Sequence, residues 1–311
     1  MTALGPLLED LKAAMWRHMM CALPIDPSAT MRELDFRSLH QVYATWRGRV
    51  PAAHARRVHV SHELLANPDR AGYGDGLAAV VRDIALGNNL RRRMSTAIEH
   101  AYAPHGAPLL ARRRRLRHLD RLLADWGIHH LHLHSEPHRT RPAFTRRSPH
   151  VLLAAIRPHD AYLIDIRAHE SNGANWSELA ILETVVRNWP DAGILQAANY
   201  ATGLKGSNWS DEDRRALREA GVSTGIEIDG RVWAASGQGL TGIPQPVATH
   251  CMGVSWILTG YQPTDNELRA QLSAMAAKHG VPDNWRGHVE GEDFGFVSAG
   301  VFAPYGRLVP V

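Results

Sequence analysis

The stretch GIHHLHLH, residues 127–134, sets a glycine at the end of a helical pattern and then alternates strictly. In an extended chain Ile128, His130, His132 and His134 share one face while His129, Leu131 and Leu133 share the other. A chain that commits imidazoles to positions where β-branched residues are usual is committed to a strand with a polar face. Within 129–138 there are five histidines, and what they do is the central question.

The segment after them reads as more strand. VLLAAIRPHDAYLIDIRAH holds two apolar runs around Arg157, Pro158, His159 and Asp160, the composition of a turn between antiparallel strands. In the second run Tyr162, Ile164 and Ile166 alternate with Asp165, Arg167 and His169. NWSELAILETVVRNWP then predicts a helix, with Asn175 or Ser177 as N-cap, Glu178 completing a capping box with Asn175, and Pro190 after the end. The local order is three strands and a helix.

Upstream, apolar residues recur at helical spacing in LLEDLKAAMWRHMM, LDFRSLHQVYATW, GLAAVVRDIALG and LLARRRRLRHLDRLLADW, the last stopping at Gly127. VPAAHARRVHVS reads as loop or short strand. Downstream, SDEDRRALREAG predicts a helix capped by Ser210, STGIEIDGRVWAAS a hairpin turning at Asp229 and Gly230, VATHCMGVSWILTGY a strand and DNELRAQLSAMAAKHG a helix. The expected fold is α+β. It has a helical basic region over 1–126, a small central antiparallel sheet with its following helix over 127–190, and a β-rich C-terminal region over 191–311.

Charge is distributed unevenly along the chain. Residues 1–150 carry a net +10 and residues 151–311 a net −6. Nearly all the positive charge is arginine, with only three lysines in the chain. Arginines cluster at 91–93, 112–121 and 139–147, and among them Arg112, Arg113, Arg114, Arg115, Arg139 and Arg141 offer the guanidinium fork that suits phosphate oxygens. They are the expected nucleic-acid contacts, RNA above all, with an inhibitor protein as a second expected partner.

Other classes find little support. Glu9 and Asp10 interrupt the N-terminal apolar positions and no run reaches about 18 apolar residues, so neither a targeting peptide nor a membrane span is expected. Cys21 and Cys251 stand far apart with no paired-cysteine spacing, which suits a reducing, cytoplasmic setting. GQGLTG, residues 237–242, fits a dinucleotide-binding pattern, but Pro244 and Pro246 forbid the helix that pattern needs. Walker A, HExxH and GxSxG patterns do not occur.

Two chemistries remain for the histidines, beside a purely structural role. Cleavage of RNA without metal or other cofactor needs a base, an acid and positive charge on the phosphate. His132, His134 and His169 with Asp165 and Arg167 are the catalytic candidates. A metal site is the alternative, built from His130, His132 and His134 with Asp165 or His169 opposite. Strand neighbours two apart are about 7 Å distant along the chain, so at most two of the three would reach one ion.

The run GIHHLHL, then RP, then VLLAAIRPHDAYLIDIRAHE resembles the central and last strands of the RelE/YafQ-like mRNA interferases. The resemblance covers some 45 residues. It implies a RelE-like sheet and a toxin or defence-type endoribonuclease, with His132 or His134 as a sheet histidine, Arg157 or Arg167 on phosphate and His169 ending the last strand. The chain departs from that family in its length and in lacking an aromatic residue soon after His169. A non-catalytic nucleic-acid-binding or toxin-associated protein, and a metal-dependent hydrolase, are the alternative functions. Trp126, Trp176 and Trp189 could stack bases, but their surroundings favour packing.

Overall fold

The computed structural model describes residues 6–23, 35–99, 120–169, 178–198, 209–219, 225–235, 250–254, 265–291 and 293–308. The chain is α+β. In order come α1 (Pro6–Ala22), α2 (Phe36–Arg49), β1 (Arg57–Val60), α3 (His62–Ala66), α4 (Gly74–Leu86), α5 (Arg121–Trp126), β2 (Ile128–His132), β3 (His150–Ile156) and β4 (Asp160–Ala168). After these come α6 (Leu179–Asn188), β5 (Leu195–Ala197), α7 (Asp211–Glu219), β6 (Ile226–Ile228), β7 (Arg231–Ala235), α8 (Asp265–His279), β8 (Arg286–Glu290), β9 (Asp293–Ser298) and β10 (Val301–Arg307). Among the described residues no helix is long and apolar enough to cross a membrane.

Chain contacts divide the molecule into two units. One comprises residues 1–48, 102–109 and 245–311, the other 49–101 and 110–244. In the first, α1 packs on an antiparallel sheet ordered β10-β9-β8. Gly287 permits that packing, because a Cβ there would lie 2.4 Å from Leu11 Cα.

The second unit is built on a four-stranded sheet ordered β1-β4-β3-β2. β2, β3 and β4 are antiparallel neighbours, as the alternation and the Arg157–Asp160 turn predict. β1 joins β4 in parallel, Val58 opposite Ala161, so a strand from the helical N-terminal region completes the central sheet. Ile128, Val151, Leu153, Ala155 and Ile164 bury one face against α6 residues Ile181, Leu182 and Val185. Trp126 is part of this core and Trp189 packs at its margin, so neither is a base-stacking surface; Trp176 lies outside the described residues.

Several local expectations change. Asp120 takes non-helical dihedrals and caps α5, so no helix runs through it from the arginine-rich segment. The N-cap of α6 is Glu178, and Leu179 N–H donates instead to Asp211 Oδ1 at 3.0 Å. Residues 250–254, expected as part of a strand, are helical. Asp229 and Gly230 both take positive φ, 51° and 73°, as a tight hairpin turn requires. Ser210 and Asp213 form a reciprocal capping box on α7. Arg112 to Arg115, Asn175, Ser177 and the GQGLTG segment lie outside the described residues.

Candidate metal centre

Gly127 ends α5 at φ 66°, its N–H donating to Leu123 O at 2.9 Å, and the chain enters β2 at once. Every residue of β2 is buried. Alternation then divides its histidines. His129 turns away and its Nε2 meets Arg49 O at 3.1 Å, while burial pushes its pKa down to about 4. His130 and His132 lie on the opposite face with ring centroids 6.0 Å apart.

The third imidazole comes from the end of β4. His150 pairs with Ala168, and His169 N–H donates to Pro149 O at 2.6 Å, extending the ladder one step past the strand. At that level Ser148 Oγ accepts from Leu133 N–H just past β2, while Pro149 O accepts from His169 just past β4. The His169 ring stacks on His132 at 5.3 Å and meets His130 edge-on at 5.6 Å. Each of the three rings places a nitrogen such that all lie within 4.8 Å of one another. A tetrahedral ion with bonds near 2.05 Å needs its nitrogens about 3.3 Å apart, so modest side-chain rotations would close the set.

The outer nitrogens are held. Asp120 Oδ2 stands 3.1 Å from His130 Nδ1, and Asp120 Oδ1 accepts from Leu123 N at 3.2 Å, so the cap of α5 also fixes a histidine. Burial alone would raise the Asp120 pKa, but His130 and the hydrogen bonds outweigh it and hold the carboxyl below its usual value. His132 Nδ1 faces Ser148, with Oγ at 3.4 Å and the backbone N–H at 3.3 Å. The backbone contact suits a ring with its proton on Nε2. As a ligand through Nε2, the ring carries that proton on Nδ1 and presents it to Ser148 Oγ.

Electrostatics favour uncharged rings. Burial, then His130, His169 and Arg147, lower the His132 pKa to about 3, and burial followed by His130 lowers that of His169. Both are neutral near pH 7, the form that carries a lone pair for a cation.

The remaining site candidates fall elsewhere. His134 has left the strand, and its Nε2 accepts from Arg146 at 3.3 Å. Asp165 and Arg167 stand in the same cross-strand rows as His130 and His132, but two strands away. Asp165 offers no oxygen to the cluster that His169, just past the same strand, joins. Arg167 Nε pairs with Asp165 Oδ2 at 2.8 Å and Arg167 also meets Glu178 at 3.3 Å. Asn67 donates to Asp165 Oδ1 at 2.6 Å; it also lines an apolar cavity of about 650 Å³ bounded by Val60, Leu64 and Leu77. Arg139 is exposed, and Arg141 lies 5.2 Å over the Phe144 ring.

Sequence reasoning included His130 only in the metal alternative and missed Asp120. A signal was present: an aspartate directly before the helix of LLADW is a good N-cap, and it precedes the first strand histidine by one short helix. The buried Asp83 carboxylate anchors the neighbourhood through Arg93 Nε at 2.7 Å, while Arg93 also donates to His134 O. Comparison with family models, curated proteins and solved structures finds no match to this chain.

Proposed function

We propose that this chain is a metal-dependent hydrolase whose ion is held by His130, His132 and His169. One observation carries the reading: three imidazoles from two strand ends converge within 4.8 Å, two with their outer nitrogens oriented by Asp120 and Ser148. Three nitrogen ligands with a fourth position open to water is the pattern of catalytic rather than structural zinc. His169 is the half-buried member and gives the cluster its route to solvent.

His130, His132 and His169 would hold the ion, and the chemistry it would supply there is a water made nucleophilic near neutral pH. Hydrolysis would consume one water per bond cut, its oxygen going to the substrate centre and a proton to the leaving oxygen. Arg91 and Arg141 over Phe144, with exposed Arg139, support a phosphodiester substrate such as RNA.

Metal-free RNA cleavage is the second reading, favoured by the stacked His132 and His169 pair. Neutral rings supply a base but no charged acid at pH 7, which places it behind the first. Metal analysis of protein purified without chelator, with end-labelled RNA cleavage before and after EDTA, separates them. About one zinc per chain and EDTA-sensitive cleavage support the metal reading. Cleavage indifferent to EDTA from metal-free protein supports the other.

A further inference from the structure

We infer that Arg147 is the specificity-determining residue of this site, holding a phosphate oxyanion against the ion bound by His130, His132 and His169. The inference rests on the metal reading and adds a substrate class and a residue to it.

Arg147 belongs to the short segment that braces the cluster. The next residue, Ser148, meets His132 Nδ1 through both Oγ and N–H, and the one after, Pro149, accepts the His169 backbone N–H. The preceding residue, Arg146, donates to His134 Nε2. Arg147 is therefore fixed in sequence between contacts to three of the histidines. Its positive charge helps lower the pKa of both His132 and His169, so the exposed guanidinium lies within electrostatic reach of the two rings.

Arg146 and Arg147 differ in their partners. Arg146 is paired with Glu136 at 3.1 Å, whereas among the described residues no carboxylate forms an ion pair with Arg147. Its side chain is exposed and its fork has two parallel N–H donors to give. Three imidazole ligands bring no negative charge and the Asp120 carboxylate offsets only part of a divalent ion's, and Arg147 adds to it, so the fourth position favours an anion over a neutral ester or amide. A phosphate oxygen on the ion with a second on the guanidinium uses both groups.

The test takes full-length protein desalted after zinc loading, alongside Arg147→Gln and Arg147→Lys. Zinc stoichiometry is measured for each, and inorganic phosphate and dimethyl phosphate are titrated calorimetrically in separate arms. The expected result is equal zinc in all three proteins, with phosphate binding about tenfold weaker or worse in Arg147→Gln and partly restored in Arg147→Lys. Tighter binding of inorganic phosphate assigns a monoester end, and tighter binding of dimethyl phosphate an internal diester; either supports the inference if it depends on Arg147. Zinc bound normally with phosphate affinity unchanged by Arg147→Gln, or no phosphate binding by the wild type, overturns the inference and leaves the metal reading standing. Failure of the wild type to retain zinc overturns both.

Discussion

Asp120 Oδ2 and His130 Nδ1 lie 3.1 Å apart, both side chains almost wholly buried. A carboxylate so placed selects the tautomer with Nδ1–H and leaves Nε2 for a cation, the usual outer partner of a ligating histidine. Because the same carboxylate caps α5, its two roles can be separated. Asp120→Asn keeps a capping side chain but loses the charge, and should weaken zinc binding about 10- to 100-fold with little change in thermal stability. Asp120→Ala loses both, with a further cost of about 1 kcal/mol for the cap. Zinc competition against a chromophoric chelator, with melting curves, reads both effects. Equal zinc affinity in wild type and Asp120→Asn would contradict the assignment.

His134 and His169 make a second contrast. His169 contributes a nitrogen to the cluster and His134 does not. His169→Gln should reduce bound zinc to a small fraction of wild type, while His134→Gln should retain it. Zinc content after dialysis decides between them, and loss in His134→Gln alone would move the site one strand position along.

Gly76 supports the site from behind. A Cβ there would fall 2.2 Å from Leu133 O, the residue directly after β2. In an exposed helix Gly→Ala would stabilise by about 1 kcal/mol. Here the expected sign is reversed, with Gly76→Ala destabilising by about 1 to 3 kcal/mol as α4 is pushed off the strand. Urea unfolding measures it; a stabilised variant would show that α4 does not press on Leu133.

The other unit carries its own acid sensitivity. His40 is buried, with Nε2 donating to Leu308 O at 2.6 Å and His250 nearby at 6.0 Å between rings. Burial, opposed by that hydrogen bond and reinforced by His250, lowers its pKa to about 4. The unfolded chain therefore binds a proton between its ordinary value near 6.5 and pH 4 while the folded chain does not. Stability contributed by neutral His40 is present above pH 6.5 and declines as pH falls to 4, by up to ~3 kcal/mol. Denaturant midpoints of wild type and His40→Gln across pH 7 to 4.5 test this, with a shallower decline expected in the variant. Parallel declines would assign the acid loss to other groups.

Much of the site's frame was legible in residues 120–169, because its signals are local. Gly127 stops a helix, the alternation after it makes a strand, and Arg157 to Asp160 turns the next pair. Which histidines meet was not legible, since His169 rather than His134 joins His130 and His132 only once register across three strands is fixed. β3 and β4 slip register between Leu153 and Ala154, an irregularity that no alternation predicts. The parallel docking of β1 on β4 was equally hidden, because four residues of RVHV carry no mark of a partner a hundred positions away. At 250–254 the apolar run was ambiguous between strand and helix, as short runs are.

Asp120, the three clustered histidines and the strands that carry them all belong to one uninterrupted stretch of chain, ending at His169. An ion bound there would tie β2 to the end of β4 across the intervening β3, as a staple does. Its binding energy would then be spent partly on folding, and stripping the ion should loosen the sheet at β2, its outer strand, before the rest of the unit. Hydrogen exchange in the β2 amides would accordingly be the first place to register an empty site.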